Sequence, residues 1–409
     1  MSIRAASSVQ RAAIGLAVLL VGCAGDAPPP DIREGRVDTL PSGTIVVSNS
    51  MRGLWDSSAA WTVVEDLRIG SADGDDADAA FGSVRGLAVD SHDRIYVLDY
   101  QSQGIRVFDR DGHHVRTVGR KGDGPGEFRG AQALAVDPAD RLWVLDRQAA
   151  RYTVLDSAGG FAASYPREAY FLRTGEIWGV APSGEVVDSW TVGSGSASEP
   201  QRTGVFRFDP ATGGRDSLLL PPFDRPTYDV VVRRGTTTNE FLFPVPFTSD
   251  ELLAFDSRGL LWRAMSGTYE VALLSLTGDT LLVLRREYRS IPVSGEDRDR
   301  ALAQIAQATE GSGARLDPAL VPPMRPALNG IVVDDQGYLW VAPLGERLGD
   351  GIALDVFAPD GQYLGKVLTT MRTWSTWPRP LVRGAHLYFV STDSLDVPYV
   401  VRARIVGRD

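Results

Sequence analysis

The stretch Gly86-Leu-Ala-Val-Asp-Ser-His-Asp-Arg-Ile-Tyr-Val-Leu-Asp99 returns one period later as Ala133-Leu-Ala-Val-Asp-Pro-Ala-Asp-Arg-Leu-Trp-Val-Leu-Asp146. Each copy holds two runs of branched, aromatic and apolar residues split by an Asp-containing turn, the signature of paired strands. A third run follows in both, Ile105 to Asp109 and Tyr152 to Asp156, then a turn at Asp111-Gly112 or Gly159-Gly160, then a fourth run, His114 to Val118 or Phe161 to Tyr165. The unit is a four-stranded antiparallel meander repeating every 47 residues.

Working outward, weaker copies of the second strand occur at Gly184-Glu-Val186-Val, Gly259-Leu-Leu261-Trp, Gly337-Tyr-Leu339-Trp-Val and Ala385-His-Leu387-Tyr-Phe-Val. With Ile95 and Leu142 these make six, and six meanders that bury their faces only against neighbours predict an all-β, six-bladed β-propeller. After Leu387 only one further strand, Tyr399 to Ile405, remains for the last blade. Trp61 to Gly70 matches the outer strand His114 to Gly119, so an N-terminal strand is expected to complete the C-terminal blade and remove two exposed sheet edges. Thr44 to Asn49 is left as an extra strand without an assigned partner.

The start of the chain has a different character. Arg4 and Arg11 precede an apolar run, Ala12 to Val21, that ends at Gly22 and Cys23. This reads as a signal peptide over residues 1–22, too short for a span of about 20 apolar residues. Residues 23–40, with Pro28-Pro29-Pro30, lack apolar periodicity and are expected to be a flexible tether ahead of the propeller at 41–409. Cys23 is the only cysteine, which excludes an internal disulfide or a thiolate metal cluster.

Leu20-Val21-Gly22-Cys23 resembles the lipobox of bacterial lipoproteins. The resemblance implies lipidation of Cys23, export, and anchoring in the cell envelope, with the outer membrane favoured in a Gram-negative cell because Ala24 follows the cysteine. The repeats in turn resemble NHL-repeat propellers, in particular the six-bladed propeller lipoproteins of environmental bacteria. The features that carry this are the inner strands ending in Asp90 and Asp137, the strands Arg94-Ile-Tyr-Val and Arg141-Leu-Trp-Val, and Gly119-Arg-Lys-Gly-Asp-Gly-Pro-Gly-Glu-Phe128. That resemblance implies a fold and an address, not a catalytic activity.

The formal charge is −10, becoming −12 once Arg4 and Arg11 leave with the leader, which argues against nucleic acid as a partner. A monomer is expected. Two insertions depart from the repeat: residues 221–238 and residues 292–326. In the second, Ser294 and Asp297 are placed to cap a short helix carrying Leu302, Ile305, Ala306 and Thr309 on one face, either as a lid or as a plug.

Gly122 to Gly126 invites a phosphate-loop reading, but a β run rather than a helix follows, so an interblade turn is expected. Asp73, Asp75, Asp76 and Asp78 lack the closing Glu of a calcium loop, since Val84 stands there, and read as a solvated loop. Tyr96, Trp143, Trp262, Trp340 and Tyr388 share one register and read as packing residues.

Counting ten residues back from the second strands gives Arg85, Gln132, Glu176, Glu251 and Asn329, all polar, with Trp377 or Arg379 in the last blade. Equivalent positions on inner strands form a ring, so these are the candidate ligand-binding residues at a channel mouth. Glu176, Glu251 and Asn329 offer oxygen ligands for a divalent cation such as calcium, or the ring is structural and lines channel water. No Ser, His or Cys active-site pattern is present. The expected function is a binding or scaffold module for a glycan, peptide or protein partner; the alternative is a divalent-metal-dependent hydrolase or lyase with its site at the channel mouth.

Overall fold

The computed structural model describes residues 35–55, 60–71, 76–167, 178–193, 202–223, 225–234, 237–310, 315–345, 347–348, 351–375 and 378–408. The expected leader at 1–22, Cys23, Asp73, Asp75, Glu176 and Trp377 lie outside the described residues.

Blade one is built from Val84–Val89, Ile95–Asp99, Gly104–Phe108 and His114–Val118, and blade two from Ala131–Val136, Leu142–Asp146, Arg151–Leu155 and Phe161–Pro166. Blade three comprises Trp178–Val180, Val186–Val192, Arg202–Phe208 and Arg215–Leu219. Blade four runs Glu251–Phe255, Leu261–Met265, Glu270–Leu274 and Thr280–Arg286; blade five runs Leu328–Val333, Leu339–Pro343, Gly351–Phe357 and Tyr363–Leu368. Blade six takes Leu381–Arg383, His386–Thr392 and Pro398–Val406 from the C-terminus and Thr62–Ile69 from the N-terminal side, antiparallel with Val63 opposite Ile405. The expected closure therefore holds.

Six apolar cores, one per interface, join the blades into a ring. Tyr96 and Val107 of blade one meet Phe128 and Leu134 of blade two; at the closing interfaces, Trp61 and Val401 of blade six pack on Trp340 and Val356 of blade five, and Ile69 and Tyr388 pack on Val84 and Phe108 of blade one. Burial on both faces explains why second strands such as Ile95–Asp99 and Leu142–Asp146 are buried throughout instead of alternating.

The turn between inner and second strands has one geometry in blades one to five. Its left-handed position is filled by Asp93, Asp140, Gly184, Gly259 and Gly337, with φ from 55° to 89°, a region open to Gly and tolerated by Asp; in blade six a tighter turn through Gly384 pairs Arg383 with His386.

Two boundaries differ from the sequence reading, and two open assignments are filled in. The tether expected to reach residue 40 becomes a strand at Arg36–Thr39, which turns through Gly43 and pairs antiparallel with Ile45–Asn49. This strand is exposed on both faces, so it carries no apolar pattern to announce it. The extra strand finds its partner in blade four, where Ile45–Asn49 lies parallel to Thr280–Arg286 and makes a six-stranded sheet. The first insertion extends past 238 as a hairpin, Thr227–Arg234 with Thr237–Pro244. In the second insertion the helix forms at Gly295–Ala308 with Ser294 as N-cap accepting from the Asp297 amide, yet it buries none of its residues, so it neither plugs the ring nor enters the core.

Candidate functional site

A recurring side-chain circuit fixes the end of the inner strand in four blades. Asp137, fully enclosed at the strand end, accepts backbone N–H groups of Ala139 (2.9 Å) and Arg141 (3.0 Å) on one oxygen, and the Arg141 guanidinium (2.7 Å) and Trp143 indole N–H (2.9 Å) on the other. Asp256 and Asp334 repeat it with Trp262 and Trp340, and Asp90 with the Tyr96 hydroxyl at 2.9 Å. Burial and the adjacent Asp90 carboxylate push the Tyr96 phenol up to about 12. The aromatic register is thus a packing register with a polar anchor.

His92 and Asp140 come close to Asp90, the three ligand atoms within 4.8 Å of one another. Asp90 is already saturated by His92 N–H, Arg94 and Tyr96, so this group is a turn lock. The glycine loop is likewise structural: Glu127 accepts from the Gly124 amide (2.9 Å) and Arg120 (2.8 Å), and buried Phe128 fills the space where a Cβ on Gly119 (φ 73°) would stand.

The four described ring candidates, Arg85, Gln132, Glu251 and Asn329, occupy the start of their inner strands, but they do not share one surrounding. Glu251 is buried, with one oxygen taken by the Arg263 guanidinium (2.6 Å) and the other by the Thr203 hydroxyl. Gln132 is half-buried and accepts from Arg147 at 3.3 Å. Arg85 is exposed, its guanidinium 5.7 Å from the Tyr100 ring centre, and Asn329 is exposed in a different cleft.

The axial cavity of about 250 Å³ receives residues from all six inner strands, among them Leu87, Leu134, Val180, Phe255, Val333 and Leu381. Its wall mixes these apolar side chains with Asp256, Asp334, Asp335 and Arg383. Residues two or four places farther along the strands, among them Leu87, Val89, Leu134, Val136, Val180, Phe255, Val333, Leu381 and Arg383, line this axial cavity.

Two clefts flank the strand starts instead. The first, of about 370 Å³, lies among blades four, five and six and is walled by Leu252, Leu253, Asn329, Trp374 and Arg379. Arg379, the alternative for the last blade, donates to the Leu253 carbonyl at 2.5 Å and so crosses from blade six to blade four. Two links deliver a side chain here: Phe247 in the link between the hairpin and blade four, and Arg325 at the end of the helical insertion, whose guanidinium lies 5.5 Å from the Phe247 ring centre and pairs with Asp297 at 2.5 Å. Asp297 is held below the usual carboxylate range by Ser294 and Arg325. Gly330 is required beneath Trp374, since a Cβ would overlap the indole.

The second cleft, of about 390 Å³, opens between blades six and one and includes Arg85, Ser83, Arg372 and Thr392. The link from Arg372 to Ser375 separates the two, placing Trp374 in one and Arg372, Thr373 and Ser375 in the other. Arg325, Arg372, Trp374 and Phe247 escaped the sequence reading because they lie in links outside the repeat.

The family described as a 6-bladed beta-propeller matches residues 78–156, which span blade one and most of blade two. It is a six-bladed β-propeller. Among solved structures, a member of the DUF4221 family from Bacteroides vulgatus is 11% identical and superposes with a TM-score of 0.52, covering 84% of this chain and 98% of that one. A Bacteroides fragilis protein described as exported is 9% identical with a TM-score of 0.49, covering 88% of this chain and 99% of that one. A streptogramin B lyase is 11% identical at 0.45, covering 86% and 100%. At these identities the likeness is one of fold alone. No curated protein matches the sequence.

Proposed function

We propose that this propeller is a binding module of the cell envelope, exported by its leader, anchored through a lipidated Cys23, and holding a glycan, peptide or protein partner in the cleft among blades four, five and six. The observation that carries the reading is the convergence on that cleft of Phe247, from the link after the hairpin, and Arg325, from the helical insertion. Its volume, about 370 Å³, falls in the range of small-ligand sites, which combine apolar walls with a few oriented polar groups.

Phe247 adds weight. Its φ of 61° is a conformation that bulky residues avoid, at about 1–3 kcal/mol. Such strain persists where the surroundings fix a side chain for a task, here an aromatic ring set under Arg325 at the cleft wall. Binding is favoured over carboxylate chemistry because Glu251 is committed to Arg263 and Thr203. A metal would first have to displace that guanidinium.

A two-arm experiment tests the proposal. Cells expressing the full chain are fed an alkyne fatty acid; label is expected in the envelope fraction with the native chain and absent with Cys23→Ser. The purified protein is titrated with muropeptides and cell-wall oligosaccharides while tryptophan emission is followed, and a saturable change is expected that Trp374→Phe removes. An unlabelled native chain overturns the anchor, and a flat response to the whole panel, with nothing retained from envelope extracts, overturns the binding role.

A further inference from the structure

We infer that the second cleft, between blades six and one, is a subsite for a carbohydrate carrying a carboxylate. The inference does not depend on the ligand proposed for the first cleft, because the link through Trp374 divides the two.

Arg85 is the starting point. It lies at the second position of an inner strand, is exposed into a cavity of about 390 Å³, and has no carboxylate partner among the described residues. Most of the described guanidinium groups do have one: Arg94, Arg141, Arg167, Arg258 and Arg263, for example, pair with aspartate or glutamate. Tyr100 lies against Arg85 at 5.7 Å, which holds the guanidinium over a ring while leaving its N–H groups for another partner. Arg372, from the link between blades five and six, lines the same cavity. The Arg85 guanidinium on this concave surface favours an oxyanion there, and the planar fork of arginine matches a carboxylate in two parallel hydrogen bonds.

The remaining wall narrows the class. Ser83, Thr373 and Thr392 contribute hydroxyl groups and Asp396 a carboxylate. Asp396 would repel a bare inorganic anion, but it accepts hydrogen bonds from the hydroxyls of a sugar, and the Ser and Thr side chains can both donate and accept. A long polyanion is disfavoured by the chain's formal charge of −10. A small, singly charged, polyhydroxylated ligand meets all three conditions, and a uronic acid is the simplest.

Calorimetric titration of the purified protein at low salt with glucuronate, galacturonate, glucose and inorganic phosphate tests this. One of the uronates is expected to bind, at least tenfold more weakly in 0.5 M salt as about one Debye length shrinks to a few ångströms. Arg85→Gln is expected to weaken it at least tenfold and Arg85→Lys less, while Trp374→Phe leaves it unchanged. Absence of uronate binding, or equal affinity in Arg85→Gln with an unaltered circular dichroism spectrum, overturns the inference. Glucose binding as well as the uronates, or phosphate competing at equal affinity, overturns the acidic-sugar assignment.

Discussion

At the scale of residues, the aspartate that ends an inner strand and the aromatic six places later behave as one unit. Asp90 with Tyr96, Asp137 with Trp143, Asp256 with Trp262 and Asp334 with Trp340 are each hydrogen-bonded, and blade three, which has Ala181 in the aspartate position, has Val187 in the aromatic one. The pairing follows from the cost of a buried indole N–H without an acceptor, about 1–3 kcal/mol. Tyr388 departs from the rule, with Val382 before it, and burial pushes its phenol up to about 12. The sequence showed the aromatics in register and made them packing residues; it did not show their acceptor, because alternation and spacing report burial but not which polar atom is satisfied. Asp137→Ala should therefore cost about 3 kcal/mol in urea unfolding, combining the lost acceptor for two amides with the orphaned Trp143 N–H. Placed in a Trp143→Phe background, the same change should cost at least about 1 kcal/mol less, since the orphan is gone. Strict additivity of the two substitutions would refute the coupling.

At the scale of elements, legibility depended on how local the pairing is. The meanders of blades one and two could be read because hairpins join neighbours through turns with fixed chemistry. Ile45–Asn49 could be seen as a strand but not placed, since parallel pairing with Thr280–Arg286 crosses more than two hundred residues and leaves no turn signal. Asn49 then fixes that placement, donating to the Gly361 carbonyl and accepting from the Tyr363 amide. In the candidate site, strand-start register could be read, whereas the clefts could not, because links without a period form their walls. The closing blade carries a titratable group at its seam. His386 faces Asp66 at 3.6 Å with Arg402 and Arg404 nearby and Asp93 on blade one, and burial with the Arg402 charge holds it below its ordinary 6.5. The folded state thus prefers neutral imidazole, so the unfolded chain binds more protons just below that value. Stability from this group is complete above pH 6.5 and declines as pH falls through the lower folded-state value. Melting temperature is expected to drop between pH 7 and 5, less steeply in His386→Gln; equal slopes in the two proteins would show that His386 is not the sensor.

At the scale of the whole molecule, the N-terminal segments make two contributions of different kind, and only one of them closes the ring. Thr62–Ile69 is the outer strand of blade six, and Trp61, Val63 and Ile69 enter the cores on both sides of that blade. Arg36–Asn49 is added to a blade four that already has its four strands; it contributes buried Val46 and Val47 and covers the edge of Thr280–Arg286. In a ring whose blades bury their faces only on neighbours, losing a seam removes two interfaces, while losing an edge strand weakens one. A chain beginning at Met51 should therefore still unfold in one transition, destabilised by about 4 kcal/mol for the two valines and the lost strand pairing. It should also associate at concentrations where the full chain does not, because a long strand edge is now exposed. A chain beginning at Ser71 should fail to give a cooperative melt. Adding a peptide of residues 60–70 in trans should restore one, with a midpoint that rises with peptide concentration as binding to the folded ring alone requires. Should the Ser71 chain melt like the Met51 chain without peptide, closure by Thr62–Ile69 is not what holds the six blades together.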